Sequence, residues 1–131
     1  MQTMQVATEA SDRVDIIAHA RANDAFRRVI HTGAHEQVVV MTLPPDGEIG
    51  AEVHPNTDQL FIIVEGTAEA RLGETASQAV ANDLVFVGAG TRHNIVNRGA
   101  VPLRLITVYA PPAHAPGTVH LTKAEADAAE E

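Results

Sequence analysis

From Phe26 onward the chain is a succession of short strand-like runs. They read "FRRVIH", "EQVVVMTL", "EIGAEVH", "QLFIIVEG", "TAEARLG", "SQAVAN", "LVFVGA", "HNIVNRG" and "PLRLITVYA". Between them lie "PPDG", "HPNTD", "GE", "ND", "GAG" and "RGAVP", each rich in residues that favour turns. No helical segment separates the runs, so parallel strands joined by crossover helices are excluded. An all-β antiparallel sandwich or barrel remains. Several runs ("VVVM", "LFIIV", "LVFV") are apolar at successive positions, so both faces of the sheet must be covered. A rolled double sheet of the jelly-roll kind meets that demand.

The ends differ in texture. Residues 11–24, "SDRVDIIAHARAND", predict a short helix capped by Ser11 or Asp12, with Val14, Ile17 and Ala18 on one face. The tail leaves the strands through prolines, and Thr122 followed by Glu125 predicts a capping box for a terminal helix. The expected organisation is an N-terminal segment (1–25), a barrel (26–112) and a tail (113–131). The 131 residues carry a net charge of −8 and a single lysine, which argues against nucleic acid and anionic membranes as partners. The absence of cysteine excludes disulfides and thiolate ligands. The N-terminus lacks a basic end followed by an apolar core, so a cytoplasmic location is expected.

Two of the seven histidines stand in informative contexts. His54 lies in "GAEVHPNTDQLFIIVEG" and His93 in "NDLVFVGAGTRHNIVN". Together these stretches resemble the paired motifs of the cupin superfamily. In the first motif, His54 matches the first histidine, Asn56 falls on the second, Gln59 falls on the glutamate and Gly66 closes the motif. Gly47 and Gly50 flank the position of its opening glycine. In the second, Asn82 stands for the first glycine and Gly88 for the proline, while Gly90, His93 and Asn97 match. The resemblance spans about residues 26–112 and implies a double-stranded β-helix, a cupin barrel.

The residues point to a site in their own right. His54 and Asn56 share a face, and a turn can return Gln59 toward it. If the sheet closes, His54, Gln59 and His93 converge inside. Two imidazoles and an amide oxygen suit a divalent ion: Zn, Fe, Mn, Ni or Cu. All three ligands are neutral, so the ion would keep its full charge and favour an anionic substrate. Glu52 and Tyr109 are the expected acid–base residues, Glu52 because it shares parity with His54. Asn56, Arg104 and His35 are expected around the substrate. The functional expectation is an isomerase, lyase or oxygenase acting on a small oxygenated, anionic or carbohydrate-derived metabolite. The alternative is a metal-free, non-catalytic binding barrel. The apolar strands further imply a homodimer.

Overall fold

The computed structural model describes residues 10 to 129. In chain order the elements are α1 (Ile16–Ala22), β1 (Arg27–Thr32), β2 (Gln37–Leu43), β3 (Asp58–Glu65), β4 (Thr67–Leu72), β5 (Thr75–Val80), β6 (Leu84–Val87), β7 (His93–Asn97), β8 (Leu103–Ala110), β9 (Val119–His120) and α2 (Lys123–Ala129). Two antiparallel sheets result, one ordered β6-β3-β8-β2-β1-β9 and the other β5-β4-β7. This is the all-β double sheet expected from the strand runs, with a short helix at each end.

The larger sheet has a graded inner face. Gln37, Tyr109, Gln59 and Val87 stand side by side across β2, β8, β3 and β6. The next inward row is Val39, Thr107, Phe61 and Val85, and the one after it is Met41, Leu105 and Ile63. All of these side chains are buried. The barrel is therefore polar at one end and purely aliphatic toward the other. On the outer face α1 packs against Ile30, Val40 and Ile106, while Leu60, Leu84 and Phe86 stay exposed near the β6 edge.

Three details differ from the sequence reading. The first helix is shorter than expected: its cap is Asp15, whose carboxylate accepts from Ala18 N at 3.0 Å. Val14 precedes the helix and packs with the outer-face cluster, so its apolar character reflects packing and not helical periodicity. The run "EIGAEVH" is not a regular strand. Residues 47–54 still lie along β7, through Ile49 N to Ile95 O at 3.0 Å and the Glu52–His93 bridge. Gly50, at φ +107°, breaks the ladder, and its amide donates instead to Asn94 Oδ1 at 2.9 Å. The tail also returns: β9 adds to the sheet edge beside β1. Beyond it the capping box forms, with Glu125 N donating to Thr122 Oγ1 at 3.1 Å and Glu125 Oε2 accepting from Leu121 N at 2.8 Å.

Two motif positions serve the fold. Gly66 has φ +99°, and a Cβ there would stand 3.1 Å from Leu103 Cα and Pro102 O, so no other residue fits the β3–β4 turn without a shift. Asn97 is fully buried, donates to Leu43 O and Val101 O, and accepts from Gly99 N. Replacing it would orphan several main-chain groups at once. Asn97→Ala is expected to lower the unfolding free energy by about 2–4 kcal/mol in urea titrations. A loss below about 0.5 kcal/mol would show that the three bonds contribute nothing net.

Candidate metal centre

The centre begins with a main-chain contact. Glu52 and His93 exchange both backbone hydrogen bonds, N to O at 2.9 Å in each direction. Residues so paired place their side chains on the same face. His54 lies two residues beyond Glu52 and shares that face. Its carbonyl accepts from Gly90 N at 2.8 Å, which ties the segment to the turn before His93. One oxygen of Glu52 and one nitrogen each of His54 and His93 consequently lie within 4.8 Å of one another.

The hydrogen-bond pattern orients these groups for a cation. His93 Nδ1 lies 2.9 Å from the Thr91 carbonyl, an acceptor only, so Nδ1 carries the proton and Nε2 presents a lone pair. His93 Nε2 is buried without a hydrogen-bond partner. His54 Nε2 is 2.9 Å from Glu52 Oε2 yet does not meet the directional requirement of a hydrogen bond. The proximity is electrostatic, as expected of two donors aimed at a common point. Gln59 donates Nε2–H to Thr107 Oγ1 at 2.9 Å, which turns its buried, unpartnered Oε1 toward the interior.

These atoms fit a divalent ion. Donors bound to one ion at about 2.1 Å can stand no more than about 4.2 Å apart, so the observed spread closes by a few tenths of an ångström. Two imidazoles and a carboxylate suit a borderline cation, and the Gln59 amide oxygen is available as a further ligand. The neutral donors expected from the sequence thus stand beside a carboxylate that could join them. That carboxylate is Glu52, on the segment that runs along β7. Burial, the largest influence on Glu52, favours its neutral acid. The His54 contact and the positive charge of Arg27, joined by that of the two imidazoles when they are protonated, outweigh it and hold the carboxyl below its usual range.

The remaining expected residues divide. Tyr109 lies in the interior, its ring edge-on to His54 at 5.8 Å, and burial pushes its phenol up to about 12. Asn56 and His35 are exposed, in the turn before β3 and in the β1–β2 turn. Arg104 belongs to the opposite face of β8 from Tyr109. It pairs there with Glu65 at 3.4 Å and Asp24 at 3.7 Å, and it donates to the Asn23 carbonyl.

Two residues in the same interior were not singled out from the sequence as lying there. Arg27 on β1 is 2% exposed, lies 3.2 Å from His120 Nδ1, and its charge is felt at Tyr109 and Glu52. His114, in the tail, stacks edge-on to Tyr109 at 5.1 Å. Its backbone is clasped by Gln37, which donates to His114 O at 2.7 Å and accepts from His114 N at 3.0 Å. The signal for Arg27 was available, since a charge inside an apolar strand demands a partner. For His114 there was none, because "PPAHAP" reads as a loop.

Burial first, and then the Arg27 charge, depresses the His114 imidazole to about 4. Its usual value is 6.5. Between those values the unfolded chain binds a proton that the folded chain refuses, so stability falls as pH drops from 6.5 toward 4. His114→Gln is expected to flatten that part of the stability–pH curve, measured by urea unfolding at several pH values. An unchanged slope would contradict the assignment.

Comparison with known proteins agrees with this architecture. A family model described as the cupin domain matches residues 39–109. The Bacillus subtilis (strain 168) protein YrkC is 40% identical over 124 residues, covering 90% of this chain and 67% of that protein. L612 of Acanthamoeba polyphaga mimivirus is 35% identical over 114 residues, covering 84% of this chain and 71% of that protein. The crystal structure of BH2720 from Bacillus halodurans superposes with a TM-score of 0.91 at 36% identity, covering 96% of this chain and 99% of that one. With the double sheet, the two motif turns and the inward histidines in place, the chain belongs to the cupin family.

Proposed function

We propose that this cupin is a metal-dependent enzyme of the isomerase or lyase type, acting on a small, oxygenated, anionic metabolite. One observation carries the reading: donor atoms of Glu52, His54 and His93 converge within 4.8 Å, while both histidine Nε2 atoms are buried without hydrogen-bond partners. Buried polar atoms left unpaired are costly unless another species satisfies them. A bound divalent ion would supply Lewis-acid polarisation of a carbonyl or enolate oxygen.

The chain's own residues do the rest. Thr91 fixes the His93 ring, and Thr107 fixes Gln59. In this reading Glu52 is a ligand rather than the base expected from the sequence, because its neighbours keep it ionised. The Tyr109 phenol stays protonated throughout the working pH range and donates a hydrogen bond to oxygen charge developing on the substrate. Phe61 packs at 6.0 Å from His93 and helps keep water from the inner side.

Elemental analysis of protein produced without a polyhistidine tag tests the reading. The native chain is expected to hold about one equivalent of a divalent metal, and His54→Ala and His93→Ala less than about a tenth. Native protein below that level would contradict the proposal. A ligand whose affinity survives loss of the metal would point to a non-catalytic binder.

A further inference from the structure

β6 is an outermost strand of the larger sheet. Ile63 N donates to Asp83 O at 3.0 Å, and Asn82 N to Ile63 O at 2.8 Å. With Val85 opposite Phe61 and Val87 opposite Gln59, these bonds set the alternation along the strand. Val85 and Val87 bond to β3, and the N–H and C=O groups of Leu84 and Phe86 face away from the sheet. Among the described residues no strand pairs with that side. The other sheet edges are guarded. β9 is only 2 residues long, β5 is mostly polar ("TASQAV"), and residues 47–54 run along β7. β6 reads "LVFV", with no charge or proline to deter pairing. Its outward side chains are open to solvent, Leu84 at 53% and Phe86 at 72%.

These side chains belong to a wider apolar surface. On the outer face Val38, Val108, Leu60 and Phe86 form one row across β2, β8, β3 and β6, and Val40, Ile106, Ile62 and Leu84 form the next. α1 packs on Val40 and Ile106, while Leu60, Leu84 and Phe86 stay exposed. From this edge we infer that two copies of the chain join β6 to β6, antiparallel, about a two-fold axis at Val85. Leu84 exchanges N–H and C=O with the partner's Phe86, and Phe86 with the partner's Leu84. Outward-facing groups thus meet outward-facing groups, and each leucine lies across from a phenylalanine on the same face. Charge favours a second copy at this edge. The chain carries −8, so copies repel one another generally. Here Asp83 stands opposite the partner's Val87, about 13 Å along the seam from its own counterpart. Asp83 and Asp58 are also held by amides of their own chain, Val80 N at 2.8 Å and Ala89 N at 2.9 Å. Leu60, Leu84 and Phe86 expose on the order of 350 Å², a patch of the size that marks an interaction site. The strand backbones and the rim at Asn82 and Gly88 bring the seam to about 500 Å² per copy, the lower range of specific interfaces.

The inference is independent of the metal reading. Sedimentation of the full chain is expected to show a dimer with a dissociation constant of about 10 μM or tighter. Leu84→Lys and Phe86→Lys replace exposed side chains, so the fold tolerates them. Each is expected to raise that constant at least about a hundredfold with unchanged far-UV circular dichroism. Leu121→Lys, at a leucine of the tail that is 60% exposed, is expected to leave it unchanged. Residue-resolved amide exchange reads the seam itself. The Leu84 and Phe86 amides are expected to be protected in the dimer and to exchange freely in Phe86→Lys, while Val85 and Val87 stay protected in both. A monomer at about 100 μM would overturn the inference. So would a dimer that survives both lysine variants, or one whose Leu84 and Phe86 amides exchange freely. Protection of those two amides in a monomer would show that the chain covers its own edge, and would overturn it equally.

Discussion

Everything at the polar end of this barrel depends on the pair of main-chain hydrogen bonds between Glu52 and His93. They join a segment that belongs to no regular strand to the first residue of β7. Together with Ile49 N to Ile95 O and Gly90 N to His54 O, they hold residues 47–54 against β7 and fix the direction of His54. With them, Glu52 and His93 face each other on one side, and His54 follows by alternation. The break at Gly50 is part of the same arrangement. By yielding one ladder position to the Asn94 side chain, it lets the segment realign before Glu52.

The barrel around this bridge separates stability from chemistry along one axis. Toward the end holding Leu43, Leu103 and Leu105 the interior is aliphatic. Toward the other end the rows carry Gln37, Tyr109, Gln59 and Thr107, and the metal-ligand candidates cap them. Apolar walls strengthen every electrostatic interaction within them. That explains how one environment raises the Tyr109 phenol, depresses the His114 imidazole and still leaves Glu52 ionised. Burial penalises each charged form, and only Glu52 has enough nearby positive charge to overcome the penalty.

Most of the fold was legible because its signals are local. Strand runs, turn residues and the spacing from His54 to Gly66 and from Asn82 to Asn97 are written in short windows. Asn82 shows why a motif can survive substitution: it adopts φ +78°, a left-handed conformation that asparagine tolerates better than most residues. What escaped was long-range. Glu52 was noticed for its parity with His54, but its place among the ligand candidates follows from its bridge to a residue 41 positions away. Arg27 and His114 reach the site only because β9 returns to β1 and Gln37 clasps the tail. Asn56 fell on a motif position and His35 at the start of a strand run, yet both are exposed.

In the proposed metal centre Glu52 supplies the carboxylate and Gln59 is an auxiliary ligand. Zinc affinity, measured by competition with a chromophoric chelator at fixed pH, tests this most directly for the native protein, Glu52→Gln and Gln59→Ala. Glu52→Gln is expected to weaken zinc by at least about a hundredfold, and Gln59→Ala by about tenfold or less. Native affinity in Glu52→Gln, or a larger loss in Gln59→Ala, would contradict it.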